Sequence, residues 1–419
     1  MSKSIPKIPP NLQILKLTFL FFFTGLSMFL GAMIVGVWLI PDLVELSTVR
    51  TPKGWFLAHL LLLGWATMVA MGASFQLTQV IMRTTLFSKM LGYIQFVLHL
   101  AGVIGLMLGF YTHIALIIVG GVSVAIAGIL YVYNLLMTCR KRKEWNVFVL
   151  GVSLSLGSYL LTIFLGIAMG MQAALGTNAH MYEATFHSHL WFGIAGWLSG
   201  LIIVYSLKLL PMFYVSTKKA ATSGYWIIGL YHIGVLLHVI SIWSEVQWLA
   251  HIATGCMVVG LSLFINYIFA VRKYRRGRLP IGTVKVAFYL LPMMFVLFIA
   301  WSIAKLLPER IPNLTEGLIV IIILGWFSAS ILSYLFKIIP FLWWPHRYQT
   351  KEQRKSAVLL YEMLPGNRMT MELIGYLVGI ILVVGGFIIE NSTLALVGQM
   401  IATCFVVIYL MELQKVFRY

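Results

Sequence analysis

The stretch HSHLWFGIAGWLSGLIIVYSLKLLPMF, residues 187–213, decides the fold class. It contains 27 residues with one lysine, Lys208, and no arginine, aspartate or glutamate. A helix needs about 20 predominantly apolar residues to cross the ~30 Å hydrocarbon core of a bilayer. The stretch therefore predicts a membrane-spanning helix that begins with two imidazoles, those of His187 and His189.

The rest of the chain has the same character. Its 419 residues are 61% hydrophobic and 10% charged, with a mean hydropathy of +0.95, whereas about a quarter of the residues in a soluble domain are charged. Only helices or closed barrels satisfy their backbone groups in lipid. We therefore expect an all-α integral membrane protein that forms one polytopic domain over residues 1–419. Twelve transmembrane helices are predicted, at roughly 15–40, 55–82, 88–110, 113–137, 147–171, 185–210, 224–243, 247–271, 283–304, 316–339, 370–389 and 392–411.

Lysine and arginine concentrate in alternate loops. The segments CRKRKEW (139–145), VRKYRRGR (271–278) and HRYQTKEQRK (346–355) share one side with both termini, whereas QAALGTNAHMYEAT (172–185) on the other side has neither residue type. Basic loops stay on the cytoplasmic side of a membrane. The pattern predicts a cell-membrane protein whose two termini, and a loop at about 341–369, are cytoplasmic. The net charge of +18 thus reflects orientation in the bilayer, and we expect no nucleic-acid partner.

Glycine–tryptophan pairs recur in the second, sixth and tenth apolar runs, as Gly64-Trp65, Gly196-Trp197 and Gly325-Trp326. The tryptophans are 132 (197 − 65) and 129 (326 − 197) residues apart, and each interval spans four runs. Eleven residues after each tryptophan stands a polar side chain, that of Gln76, Lys208 or Lys337. We expect the lysines, and the prolines Pro211 and Pro340 that follow them, to end their helices. The period predicts three pseudo-repeated four-helix units at about 15–137, 147–271 and 283–411.

The ten histidines are unevenly distributed in depth. With the predicted orientation most of them lie in the outer half of the bilayer or in outer loops, and His346 is cytoplasmic. An imidazole in or near lipid is costly unless it is paired, and imidazole is a common ligand of metal ions and of heme iron. Any one of these residues is also explained by a hydrogen bond to a carbonyl group or water. As a set they predict a heme or metal site, with the candidate ligands His59, His187, His189, His238 and His251.

Spacing limits how the candidate ligands can combine. His187 and His189 are two residues apart, so on a regular helix they point about 200° apart. A shared site must therefore be assembled between helices, and the short loops joining runs six to eight allow His189, His238 and His251 to converge. Thioether and imidazole together suit copper(I), and three methionines flank the outer histidines: Met169, Met171 and Met181.

The carboxylates argue against two classes of transporter. The acidic residues closest to the apolar runs lie near the run ends or in loops: Asp42, Glu45, Glu183, Glu245, Glu372 and Glu390. Proton pumps and cation-coupled transporters usually place Asp or Glu near the middle of the membrane. The sequence therefore favours neither class.

The layout resembles the catalytic subunit I of heme–copper oxidases and nitric oxide reductases. LAHLLLLGWATMVAMGASFQL (57–77) and the opening stretch are similar to segments of that superfamily, and His-x-His at the start of a crossing is also a feature of the NnrS family. The resemblance implies that His59 ligates heme b and that His189 and His238 lie where the family binds copper. It also implies oxidoreductase chemistry, with quinol or another electron donor as a partner.

The chain departs from the superfamily at two places. The tenth run, 316–339, has no histidine, and YHIGVLLHV (231–239) in the seventh lacks an adjacent histidine pair. We therefore expect not an oxidase with two hemes and copper but a divergent relative that binds heme b, copper or both in its outer half. Its role would be respiratory redox chemistry or the handling of nitric oxide or metal. Two alternatives stay open: a permease for copper, heme or another small solute that uses the outer His/Met cluster, and a cofactor-free assembly or scaffold protein.

The predicted orientation is tested by cysteine accessibility. In a background without Cys139, Cys256 and Cys404, a cysteine at Asn178 should react with a membrane-impermeant maleimide in intact cells, because its loop is external. A cysteine at Lys219 should react only after lysis. The reverse labelling pattern would contradict the orientation.

Overall fold

The computed structural model describes residues 12–141, 145–176, 178–220, 222–277, 279–304 and 313–419. These ranges contain twelve helices long and apolar enough to cross a membrane, which confirms the predicted number of spans and the all-α class. We number them α1 to α12: Ile14–Glu45, Pro52–Met82, Lys89–Gly109, Ile114–Arg140, Val147–Leu175, Ala179–Phe213, Thr222–Ser244, Gln247–Lys273, Val284–Ala304, Leu314–Arg347, Gly366–Ile388 and Ser392–Arg418.

Proline does not end α6 or α10, contrary to the sequence-based expectation. Pro211 lies inside the helical part of α6, and α10 continues past Pro340 to Arg347. Proline removes one backbone hydrogen bond, but neighbouring helices and local adjustment of the backbone make this tolerable in a membrane bundle. The predicted loop at 341–369 is therefore shorter, residues 348–365, and it holds a five-residue helix, Lys351–Lys355.

The loops lie at two opposite ends of the bundle, and contacts between loops show which of them share an end. An ion pair between Arg50 and Glu183 joins the α1–α2 loop to the start of α6, and a backbone bridge between Ser216 and Arg275 joins the loops after α6 and α8. We call the end with the loops after odd-numbered helices the histidine end, and the opposite end, with the loops after even-numbered helices, the basic end. Which end faces the cytoplasm stays a prediction.

Three helices contain a π-helical segment, and each segment includes one of the glycine–tryptophan pairs. The segments are Leu60–Thr67 in α2, Trp191–Ser199 in α6 and Ile321–Ser328 in α10. π-helical turns are rare, and they are frequently found at functional sites. The repeated pair in the sequence thus coincides with a repeated departure from α-helical geometry.

The carbonyl group just before each glycine–tryptophan pair accepts a side-chain hydrogen bond from the following helix. The three bonds are His99 Nε2 to Leu63 O (3.2 Å), Tyr231 OH to Ala195 O (3.1 Å) and Tyr376 OH to Leu324 O (2.5 Å). Ala195 O also accepts the backbone N–H of Gly200, so its bond from Tyr231 is a second one. The three bonds anchor α3 to α2, α7 to α6 and α11 to α10 at the level of the π segments.

Each tryptophan of these pairs also contacts the helix that precedes its own. Trp65 stacks on Phe29 of α1 and Trp197 on Tyr159 of α5, with ring centres 4.7 and 4.5 Å apart, and Trp326 Nε1 donates to Leu290 O of α9 at 2.7 Å. The π segment of each helix is thus held from both neighbours in the sequence.

Helices α2, α6 and α10 form the centre of the bundle and touch each other in pairs. Trp197 Nε1 donates to Thr67 Oγ1 at 3.2 Å, the hydroxyls of Ser206 and Tyr334 lie 2.6 Å apart, and the π segments of α2 and α10 are in contact. In the most apolar stretch of each helix, 56% of the residues are buried in α2, 67% in α6 and 78% in α10, whereas at most 50% are buried in the other nine spans.

Two carboxylates are buried at the basic end. Glu372 and Glu412 are 5% and 3% exposed, and Arg368 lies between them, 3.1 and 3.2 Å away. Lys415 adds a second cation 2.7 Å from Glu412. Because breaking a buried pair leaves an uncompensated charge, this cluster fixes the basic ends of α11 and α12 against each other.

Removal of one hydroxyl group tests how much the side-chain hydrogen bonds to the π segments contribute to stability. Tyr231→Phe removes the bond from the tyrosine hydroxyl to Ala195 O, which keeps a second donor in the backbone N–H of Gly200. We therefore expect a loss of about 0.5–1.5 kcal/mol of stability, measured as a lower thermal unfolding midpoint in detergent. Tyr225→Phe, on the exposed side of the same helix, is the matched control and should unfold like the wild type. Equal midpoints for all three proteins would contradict the role given to the π segments.

Candidate functional site

Two of the predicted ligands meet between α2 and α6. The ring centres of His59 and His189 lie 6.3 Å apart, and their planes are inclined by 30°. Both residues stand on the histidine-end side of the π segments that begin at Leu60 and Trp191. The close approach places two imidazoles from different helices at one site.

The two rings are oriented in the same way. His59 Nδ1 lies 2.7 Å from Trp55 O, and His189 Nδ1 lies 2.8 Å from Thr162 O. A carbonyl oxygen only accepts, so Nδ1 carries the proton and Nε2 keeps its lone pair. Neither Nε2 atom has a hydrogen-bond partner among the described residues. Metal-ligating histidines are held in this way, by a backbone carbonyl group on the nitrogen that does not bind the metal.

Neighbouring helices pack against both rings. Phe110 packs against His59, with ring centres 5.0 Å apart. Gly166 of α5 faces His189, and a Cβ atom at that position would lie 3.1 Å from His189 Cε1. Both imidazoles are half-buried, although they lie within spanning helices. Each ring thus has packed neighbours and one partly accessible face.

Two ion pairs lie at the histidine end of the bundle. Arg50 makes a two-pronged ion pair with Glu183, at 2.6 and 3.1 Å, and its guanidinium lies 4.4 Å from the centre of the Phe186 ring. Lys53 pairs with Asp42. Exposed ion pairs contribute about 0–1 kcal/mol to stability, so these cations are available to a ligand at little cost.

The other predicted ligands lie elsewhere. His238 stacks on Trp191, with ring centres 4.0 Å apart, and its Nε2 atom is 3.4 Å from Thr254 Oγ1. His251 is exposed on α8, and His187 is exposed beside Glu183 at 3.7 Å. In the described part of the chain, no group of three or more His, Cys, Asp or Glu side chains could hold a metal ion. The structure joins His189 to His59, a pairing that the sequence spacing does not indicate.

Two deeper histidines have structural partners. His99 donates to the π segment of α2, as described, and His232 is hydrogen-bonded through Nδ1 to Ile228 O at 3.0 Å, with Nε2 3.5 Å from Ser155 Oγ. Both are at least nine-tenths buried. Both ring nitrogens of His232 thus face a partner, whereas His99 Nδ1 is buried without a hydrogen-bond partner among the described residues.

Three contributors to the site escape sequence reasoning. Thr162 acts through its backbone carbonyl group, which no motif reveals. Phe110 and Gly166 are common residue types in membrane helices, and only the packing of α5 and α3 against α6 and α2 gives them a role. A glycine near the middle of an apolar run is at most a signal of close helix approach.

The position of Gly166 gives a test of the site geometry. Gly166→Ala places a methyl carbon 3.1 Å from His189 Cε1, so a ring held by Thr162 O must give way by a few tenths of an ångström. We expect an overpacking cost of about 1–3 kcal/mol, seen as a lower thermal midpoint in detergent. Gly157→Ala is the control on the same helix, since its added methyl group would meet no heavy atom of the described residues within 4 Å, and it should be neutral or slightly stabilising. If Gly166→Ala behaves like this control, the ring is not where we place it.

Comparison with protein-family models and with curated proteins finds no match to this chain. No relative therefore supplies a function or a set of ligands. The assignment of a function rests on the geometry of the histidine pair and on the arrangement of the helices that hold it.

Proposed function

We propose that this chain is a divergent relative of heme–copper oxidase subunit I that binds one b-type heme between His59 and His189, near the histidine end of the bundle. Its role would be respiratory redox chemistry or the handling of nitric oxide. The single observation that carries the proposal is the histidine pair, with both Nδ1 atoms bonded to carbonyl groups and both Nε2 atoms without a partner among the described residues.

Ligand number favours heme over a bare metal ion. A structural or catalytic zinc site usually takes three or four protein ligands, and the described residues offer no group of three. Heme supplies four in-plane nitrogens of its own, so its iron needs only one or two axial side chains. His59 and His189, whose ring centres lie 6.3 Å apart, would hold the group through their Nε2 atoms.

The other residues of the site fit an amphiphilic cofactor. Phe110 and the apolar faces of α2 and α5 would exclude water, and the carbonyl groups of Trp55 and Thr162 would hold the imidazoles in orientation. Arg50 and Lys53 lie at the same end of the bundle, in ion pairs with Glu183 and Asp42, and are the cations that heme carboxylates would meet. Bound heme would supply one-electron redox chemistry.

The helices that hold the pair support a threefold architecture. We propose three four-helix units, α1–α4, α5–α8 and α9–α12, because the second helix of each has the π segment, the tryptophan contact to the preceding helix and the carbonyl bond to the following helix. An arrangement of three such units around a centre is the architecture that the resemblance to subunit I implies.

Copper(I) is the second candidate for the same two nitrogens. Copper(I) accepts soft and nitrogen ligands in low coordination numbers, and the ring separation allows one ion between the imidazoles. Within the described residues, no contact between these rings and Met169, Met171 or Met181 supports a larger copper site. The permease and scaffold alternatives remain proposals without a specific observation in their favour.

A spectrum of the purified protein tests the proposal. The protein, expressed with heme and copper in excess, should show a reduced-minus-oxidised spectrum of b-type heme at about one per chain. His59→Ala and His189→Ala should each lower heme content about tenfold or more, because each removes an axial ligand. His113→Ala, exposed at the same end of the bundle, is the matched control and should keep the wild-type spectrum.

Metal analysis of the same samples separates the candidates. If the wild type contains stoichiometric copper and no heme, and both variants lose that copper, then the ligand of this site is copper and not heme. Wild type with neither heme nor copper would contradict the redox function. Full heme content in both variants would contradict the assignment of His59 and His189 as the heme ligands.

A further inference from the structure

Two clefts at the basic end share one wall. Each has a volume of about 330 Å³, and Trp343 and His346 of α10 line both. The first cleft is otherwise polar, with Arg347 and Gln353 among its lining residues, and the second is aromatic. Neither cleft belongs to the histidine pair, which lies at the opposite end of the helices.

The shared wall contains two polar atoms that lack partners. Trp343 Nε1 and His346 Nδ1 are buried and have no hydrogen-bond partner among the residues that the structure describes. A buried polar group in this state costs about 1–3 kcal/mol, and native proteins rarely leave such groups unsatisfied. The indole nitrogen only donates, so a partner for Trp343 must bring an acceptor.

The clefts are also positively charged. Lys16 of α1 lines the aromatic cleft and Arg347 lines the polar one. Neither residue makes an ion pair with any described residue, and the described residues that line the clefts include no aspartate or glutamate. A ligand that offsets both cations must carry negative charge.

The aromatic cleft offers a surface for hydrocarbon. Phe19 and Phe23 of α1 stack with ring centres 5.8 Å apart, and Phe417 packs on both at 5.5 and 5.3 Å. Trp343 closes this group, 5.0 Å from Phe417. These rings lie next to Lys16, so an apolar wall and a cation face the same cleft.

We propose that the two clefts together bind one anionic phospholipid. Its phosphate accepts from Trp343 Nε1 and lies near Lys16 and Arg347, and an acyl chain runs along Phe19, Phe23 and Phe417. Lys16 and Arg347 are close to the basic-end limits of α1 and α10, the level at which headgroups lie and at which anionic lipids attract basic side chains. A neutral quinol fits less well, because it carries no charge to offset the two cations.

Native mass spectrometry of the full chain in mild detergent tests this site. We expect phosphatidylglycerol to bind about tenfold more tightly than phosphatidylcholine with the same acyl chains. Lys16→Gln combined with Arg347→Gln should abolish the preference, and Trp343→Phe, which removes the donor and keeps an aromatic ring, should weaken phosphatidylglycerol binding roughly fivefold. Arg272→Gln combined with Lys273→Gln removes the same charge from α8 at the same end and should leave binding unchanged. Thermal midpoints check that every variant is folded.

Several outcomes would overturn the proposal. Equal affinity of the wild type for the two lipids would exclude recognition of the anionic headgroup. If the two double variants lose phosphatidylglycerol affinity equally, the preference is a general attraction to positive charge and not binding at these clefts. Glycerol phosphate that binds as tightly as phosphatidylglycerol would indicate a site for a free anion. Decylubiquinone that displaces phosphatidylglycerol would make the occupant a quinone.

Discussion

The structure depends on one constraint: side-chain hydrogen bonds tie the π-helical segments of three central helices to the helices that follow them. Helices α2, α6 and α10 each contain a π-helical segment, and the carbonyl group before each glycine–tryptophan pair bonds to a side chain of the next helix. Those bonds, with the tryptophan contacts to the preceding helices, fix three central helices that also touch one another. The remaining helices pack around this centre.

The histidine pair follows from that constraint. His59 and His189 lie just outside the π segments of α2 and α6, so the fixed centre sets the distance between their helices. They are not repeats of each other, since His59 precedes its tryptophan by six residues (65 − 59) and His189 by eight (197 − 189). The site is therefore an asymmetric feature added to a repeated framework. Backbone carbonyl groups orient both rings, one from α2 itself and one from α5.

Much of the framework can be predicted from the sequence, because hydropathy and loop charge report directly on spanning helices. The glycine–tryptophan spacing singles out α2, α6 and α10, and depth singles out His59 and His189 separately. Their pairing cannot be predicted, since it depends on how α2 and α6 pack and on the carbonyl group of Thr162. Pro340 is misleading because membrane packing tolerates a proline inside a helix. The sequence also contains a further signal of the π segments, a residue with a hydroxyl group two positions after each tryptophan: Thr67, Ser199 and Ser328. The hydroxyl groups of the two serines donate to the carbonyl groups five residues earlier in the chain.

The central claim is that one metal centre joins α2 to α6 through two imidazoles. The most direct measurement is a cryo-electron microscopy map of the protein purified from heme-replete cells. The account predicts continuous density between the Nε2 atoms of His59 and His189, with a planar macrocycle between their helices. A well-resolved map in which both rings are ordered and only side chains or lipid separate them would contradict it.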